Sequence, residues 1–118
     1  MQDFRDLKVW AKSHQLALEV YRATRTFARE ELYGLRSQIR RSAASIPCNI
    51  AEACGRGGGD FGRFLQIAMG SASELEYQLI LTRDLDLLGS AAFQPLADKT
   101  IEVKRMLASL LTKLKTDD

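Results

Sequence analysis

From Phe61 to Leu88 apolar residues recur in two seams that only a long helix can align. Phe61, Leu65, Ala68, Ala72, Leu75, Leu79 and Thr82 step alternately by four and three residues. A second set, Phe64, Ile67, Ser71, Gln78, Leu81, Leu85 and Leu88, lies about 60° further round the same helix. Met69, Tyr77 and Ile80 add apolar surface beyond both seams. One stripe is enough to enter a monomeric bundle. A helix apolar over this width is buried either deep inside its own bundle or against another chain, and periodicity alone leaves both open.

The rest of the chain supplies three partners for it. Asp6 is read as the cap of a first helix over about 7–26, with Leu7, Trp10, Ala17, Val20, Tyr21 and Thr24 as its apolar stripe. Residues Phe27 to Gly34 read as a connection, with Gly34 at a helix boundary. A last helix over about 92–115 carries Leu96, Ile101, Val103, Met106, Leu107, Leu110, Leu111 and Leu114, with Lys113 and Lys115 suiting its C-terminal dipole. Gly89-Ser90 reads as the end of the third helix, and Thr116-Asp117-Asp118 as a frayed tail. Few β-branched residues and only two prolines agree with an all-α chain. The expectation is a single domain over 1–118: an antiparallel four-helix bundle with helices near 7–26, 35–54, 60–88 and 92–115.

The second helix, LRSQIRRSAASIPCNIAEACGR, is the unusual one. Leu35, Ile39, Ile46, Ile50 and Ala53 face a core, and Gln38, Ser42, Ser45, Asn49, Glu52 and Arg56 form a polar line. Arg36, Arg40, Ala44, Pro47, Ala51 and Cys54 form a third stripe, basic at one end and small-residued at the other. Pro47 in a helix interior lacks an N–H for the Ala43 carbonyl and costs about 3 kcal/mol. Two helices, the second opened by Pro47, would make Ile46 the N-cap, and Ile is among the poorest caps. A single helix kinked at Pro47 is expected, its small neighbours letting another backbone approach. Gly55 to Gly59 read as a flexible break, with Asp60 capping the third helix.

Charge and chemistry narrow the function. The net charge is +2, but residues 35–59 carry four Lys/Arg against one acid, and residues 60–90 carry two against five. That division suits complementary packing within or between chains as well as nucleic-acid binding. The chain has one histidine, His14, and no Glu-x-x-His pair, so no di-iron or zinc centre is expected. Cys48 and Cys54 point about 240° apart on one helix and read as free buried thiols in a reducing compartment. The Gly55–Gly59 run follows a helix and lacks the Gly-Lys-Ser/Thr of a phosphate-binding loop. No cofactor and no enzymatic activity are expected. The N-terminal MQDFRDLK does not resemble a signal peptide, and no apolar run approaches the roughly 20 residues of a membrane span. A cytoplasmic location with no membrane partner is therefore expected.

Several motifs are shared with a known family. Phe4-Arg-Asp-Leu-Lys-Val-Trp10, Glu31-Leu-Tyr-Gly-Leu35, Gln38-Ile-Arg-Arg41, Ser45-Ile-Pro-Cys-Asn-Ile-Ala-Glu52, Gly55-Arg56, Phe64-Leu65, Gly70-Ser71 and Glu74-Leu-Glu76 resemble the 23S rRNA intervening-sequence protein family over about residues 4–115. The resemblance implies a small bacterial four-helix bundle assembling as a ring-like homopentamer. It also implies kinship with the accessory variability protein of diversity-generating retroelements, a basic pentamer that binds nucleic acid. Ala28 stands where the family usually has proline, Ala53 where it commonly has glycine, and Gly57 to Gly59 where it has a more polar turn.

Two functions are therefore expected in competition. One is a non-enzymatic homo-oligomeric scaffold, with Ala44, Pro47, Ala51, Met69, Tyr77 and Ile80 as candidate interface residues. The other is binding of structured RNA, or of a protein associated with nucleic acid. Its candidate contacts are Arg36, Arg40, Arg41, Arg56 and Arg63, with Arg22, Arg25 and Arg29 nearby. The opposing expectation is that these arginines pair with Glu74, Glu76, Asp84 and Asp86, within or between subunits.

Overall fold

A computed structural model describes residues 2–27 and 34–116, and the chain forms four helices around one core. After a 3-10 turn at Phe4–Asp6 come α1 (Lys8–Ala23), α2 (Leu35–Arg56), α3 (Gly58–Asp84) and α4 (Ser90–Thr116). α1 packs on α2 and α4, and α3 packs on the same two helices, so α1 and α3 are diagonal partners. The bundle is 47 Å long and about 20 Å across. Most of the expected connection before α2, with Ala28 and Arg29, and the last two residues of the tail lie outside the described residues.

α1 begins one residue later than its sequence signal. Asp6 does not cap it. It sits in the 3-10 turn, whose own cap is Asp3, accepting the Arg5 amide at 3.0 Å. Leu7 takes the cap position with no side-chain bond, and its carbonyl accepts the amides of Trp10 and Ala11. Packing of Leu7 against the core substitutes for a polar cap. The buried face is Val9, Ser13, Leu16, Ala17 and Val20, with Thr24 and Phe27 beyond the helix. Trp10 and Tyr21, expected on that stripe, lie at its margin. Ser13 and Thr24 take the inner positions because each hydroxyl donates to a carbonyl of its own helix, Trp10 at 2.9 Å and Val20 at 2.8 Å. A small, self-satisfied hydroxyl is cheap to bury.

α2 runs unbroken through Pro47, which is itself buried. Ile39, Ile46, Ile50 and Ala53 face the core as the pattern predicts, joined by Ala43 and Cys54. Burying each large aliphatic contributes about 1.5–3 kcal/mol, enough together to outweigh the proline's cost. The expected Gly55–Gly59 break shrinks to Gly57. Its amide still bonds the Ala53 carbonyl at 2.9 Å, and its φ of 63° and ψ of −166° turn the chain straight into α3. Asp60 is therefore not a cap but a first-turn residue of α3.

The turn sets α2 and α3 side by side in antiparallel register. Ser42 donates to Glu74, Ser45 and Ser71 share a hydrogen bond of 2.9 Å, and Arg56 meets Asp60 at 3.5 Å. The polar line read on α2 is thus the seam that faces α3. The first apolar seam of α3 is buried from Leu65 to Thr82. The helix stops at Asp84, earlier than Leu88, because Asp86 adopts a left-handed φ of 61°. The Leu87 amide then reaches back to the Thr82 carbonyl and the Asp86 amide to Arg83, a Schellman closure. Gly89 opens α4, its carbonyl accepting the Ala92 and Phe93 amides. Pro95 lies within the helix, in its second turn.

Gly57 occupies backbone space that is essentially reserved for glycine. Gly57→Ala should destabilise the fold by about 1–3 kcal/mol through backbone strain alone, since an added Cβ meets nothing within 4 Å. Gly59→Ala, equally open and without a positive φ, should be neutral or slightly stabilising. Urea unfolding of the two variants checks the contrast.

Candidate functional site

Three surfaces hold the candidate residues. The first is a groove between α1 and α2. On α1, Trp10, His14, Leu18 and Tyr21 recur at four- and three-residue steps and form one wall. Trp10 stacks flat on His14 at 5.0 Å between ring centroids and meets Phe4 edge-on at 4.9 Å. Ala44, Pro47, Cys48 and Ala51 of α2 form the other wall, and the groove of about 460 Å³ is almost wholly apolar. Pro47 is buried, with Ala44 and Ala51 half-buried, so the small residues lie low between α1 and α2.

Toward the N-terminal end of α2 the same groove turns basic. Arg36, Ser37, Arg40 and Arg41 line it, continuing from Tyr21, Ala44 and Cys48. Arg40 is tied down. Its Nε donates to Thr24 Oγ1 and its Nη2 to the Tyr21 carbonyl, both at 2.8 Å, while the guanidinium lies 4.7 Å from the Tyr21 ring centroid. A cation thereby closes the C-terminal end of α1, where the helix dipole is negative. Burial first, then the neighbouring Arg36 charge, lowers its pKa from the ordinary guanidinium value. Arg36 and Arg41 make no ion pair or side-chain hydrogen bond among the described residues.

The second surface is the α2–α3 turn. Arg56 donates to Glu52 at 2.8 Å and meets Asp60, which also takes Arg63 at 3.2 Å. The Glu52 hydrogen bond is the chief reason that the Arg56 pKa is raised. Both guanidinium groups lie over the Phe64 ring, at 4.8 and 4.5 Å from its centroid. Two arginines and two carboxylates cancel locally. Of the five candidate nucleic-acid contacts, the structure brings Arg36, Arg40 and Arg41 together, sets Arg56 and Arg63 apart, and gives Arg40, Arg56 and Arg63 partners within the chain.

The third surface is the outer side of α3. Tyr77 is 61% exposed and Ile80 38%, with Ser73 exposed on the same side. Met69 is half-buried against the core and borders α4 beside Glu76, Lys104 and Arg105. The two groups of candidate interface residues therefore do not meet: Ala44, Pro47 and Ala51 lie on the α1/α2 side, and Met69, Tyr77 and Ile80 on the α3/α4 side.

Within the chain, Glu74, Glu76 and Asp84 are not partners of the candidate arginines. Glu74 accepts from Ser42, Glu76 from Lys104 at 2.7 Å, and Asp84 from Arg83 at 2.9 Å. The Lys104 tie, and that between Lys99 and Glu19, hold α4 to its neighbours and were missed because their partners are 28 and 80 residues away in the chain. Leu18, 37% exposed, was also missed, although its spacing from His14 and Tyr21 marks the groove wall. Burial first, then the Asp3 charge, raises the Cys54 pKa, while Cys48, also expected to be buried, is exposed in the groove. Among the described residues no group of three or more His, Cys, Asp or Glu side chains lies close enough to hold a metal, and no helix is long and apolar enough to cross a membrane.

The described residues thus form an all-helical bundle with an apolar-to-basic groove on one side and an apolar ridge on the other. The chain belongs to the 23S rRNA-intervening sequence protein family, whose model matches residues 5–109. It is similar to a solved protein of unknown function from the S23 ribosomal protein family of Bacteroides thetaiotaomicron. The two are 27% identical with a TM-score of 0.78, over 87% of this chain and 97% of that one. No curated protein matches the chain.

Arg40 is the one candidate arginine that ties α2 to α1. Arg40→Ala should lower stability by about 1–2 kcal/mol, the loss of charge-assisted bonds to Tyr21 and Thr24. Arg63→Ala, an exposed residue paired within one turn, should stay within about 0.5 kcal/mol of the parent. Thermal or urea unfolding monitored by circular dichroism distinguishes the two.

Proposed function

We propose that the protein is a non-enzymatic scaffold of the cytoplasm that assembles as a homo-oligomeric, pentameric ring. The observation that carries this reading is the apolar surface left outside the bundle on α3, where Tyr77 is 61% exposed beside Ile80. A large aromatic standing clear of its own core is costly to hydrate and typical of an interface anchor. The low-lying Ala44, Pro47 and Ala51 on the opposite side offer a complementary concave surface. Family membership supports the same assembly through the resemblance to ring-forming relatives. Light scattering at micromolar concentration should give a mass of about five times 13.2 kDa. A single species at the chain mass would rule the scaffold out.

A second reading, binding of structured RNA, is supported by Arg36 and Arg41, which have no partner among the described residues and stand together at the basic end of the groove. Arg56 and Arg63 support it less, since Glu52 and Asp60 neutralise them. If the groove contacts phosphates, RNA affinity should fall steeply with salt, with a slope of about −0.7 to −0.9 per phosphate neutralised. Arg36→Ala/Arg41→Ala should flatten that slope by about two phosphates' worth. No retention of RNA or duplex DNA on a filter at about 50 mM salt would end this reading.

A further inference from the structure

We propose that copies of this chain associate head to tail, the α3 ridge of one copy seated in the α1/α2 groove of the next. The inference rests on the scaffold reading and names the two faces that meet. α1 and α3 are diagonal in the bundle, so the α1/α2 side and the α3/α4 side face opposite ways. A contact between unlike faces is heterologous, and it propagates from copy to copy until rotation closes a ring.

The two faces match in shape, spacing and charge. Along α2 the stripe runs Ala51, Pro47, Ala44, Arg40, in steps of four, three and four. Along α3 it runs Ser73, Tyr77, Ile80, Asp84, with the same steps. Each covers about 16 Å of helix. The small residues of the first sit low in a groove, and Tyr77 and Ile80 of the second project from the surface. A convex row entering a concave one is how helices pack.

Charge then selects the direction. The α2 stripe ends in a basic group, Arg36, Arg40 and Arg41. The α3 stripe ends in Asp84 and Asp86, both exposed, and a helix C-terminus adds partial negative charge. Arg83 offsets part of this by pairing with Asp84, although its guanidinium also lies over Phe93. At the other end of the ridge, Lys104 and Arg105 border Met69, with Lys104 held by Glu76. Arg36 and Arg41 thus meet the acidic end only if α2 of one copy and α3 of the next run antiparallel. Within a single chain those helices are already antiparallel. Copies related by rotation about an axis along the bundle keep that relation between neighbours, so pattern and symmetry agree.

Sedimentation of the full chain tests this. Tyr77→Glu, Arg36→Glu/Arg41→Glu and Asp84→Arg/Asp86→Asn should each raise the dissociation constant roughly tenfold or more. Asn is chosen at Asp86 because it tolerates the positive φ there. Circular dichroism melts should stay cooperative, since all these side chains lie outside the core. Combining Arg36→Glu/Arg41→Glu with Asp84→Arg/Asp86→Asn in one chain should restore association to within a few fold of the parent. Variants that assemble as tightly as the parent would overturn the pairing of these faces and leave the scaffold reading standing. So would a combined chain no better than its halves. A parent chain that is monomeric at micromolar concentration would overturn both.

Discussion

The structure depends on the antiparallel contact between α2 and α3. A single glycine joins them, so neither helix can slide without breaking the turn. Ser42 on Glu74, Ser45 on Ser71 and Arg56 on Asp60 then fix the register along the seam. Small hydroxyls at the inner positions let the helices approach, and Asn49 braces the row by donating to the Ser45 carbonyl and hydroxyl at 2.8 and 2.9 Å. Once that pair is set, Ile39, Ile46 and Ile50 of α2 and Leu65, Leu75 and Leu79 of α3 form one apolar floor on which α1 and α4 close.

Pro47 makes sense within that contact. A proline mid-helix removes one backbone bond and is normally a liability. Here it lies on the α1 side of a helix whose opposite side is tied to α3 by Ser45 and braced by Asn49, which donates back to Ser45. The helix continues because the packing on either side leaves the chain nowhere else to go. The ring of Pro47 meanwhile fills a groove floor that a longer side chain would block.

Much of this was legible in the sequence, for a physical reason. Periodicity reports burial, so the α3 seam from Leu65 to Thr82 and Ile39, Ile46, Ile50 and Ala53 of α2 could be read directly, whereas Leu35 is only half-buried and Ala43 and Cys54 join the core unannounced. Reading failed where a polar residue was buried at little cost, as with Ser13, while Trp10 and Tyr21 lie at the margin of α1. It failed again at helix ends. Asp6 and Asp60 look like caps, but Leu7 and Gly57 hold those positions by packing and by backbone conformation. Gly89 looked like the stop of α3, whereas Asp86 supplies the left-handed residue. The arginines were the least legible part. A cluster in sequence says nothing about whether a carboxylate lies within reach. Among the described residues Arg56 and Arg63 find theirs in Glu52 and Asp60, whereas Arg36 and Arg41 find none.

That difference bears on what the basic groove is for. A phosphate-binding surface works best with mobile, unpartnered cations spread along a track, since counterion release drives the binding. Here the groove's cations without a partner among the described residues are Arg36 and Arg41, on one helix end, next to an apolar groove with Tyr21, Leu18 and Trp10 on its wall. Apolar area beside a few charges is the composition of a protein interface, with the charges orienting the contact and the apolar floor holding it. RNA and a second copy would compete for Arg36 and Arg41. Occupation of the groove by an α3 ridge would leave the assembled ring with Arg56 and Arg63 free of the contact, each already neutralised by a carboxylate of its own chain. On the proposed reading, assembly and nucleic-acid binding through α2 would be alternatives, and the chemistry of the groove is better suited to assembly.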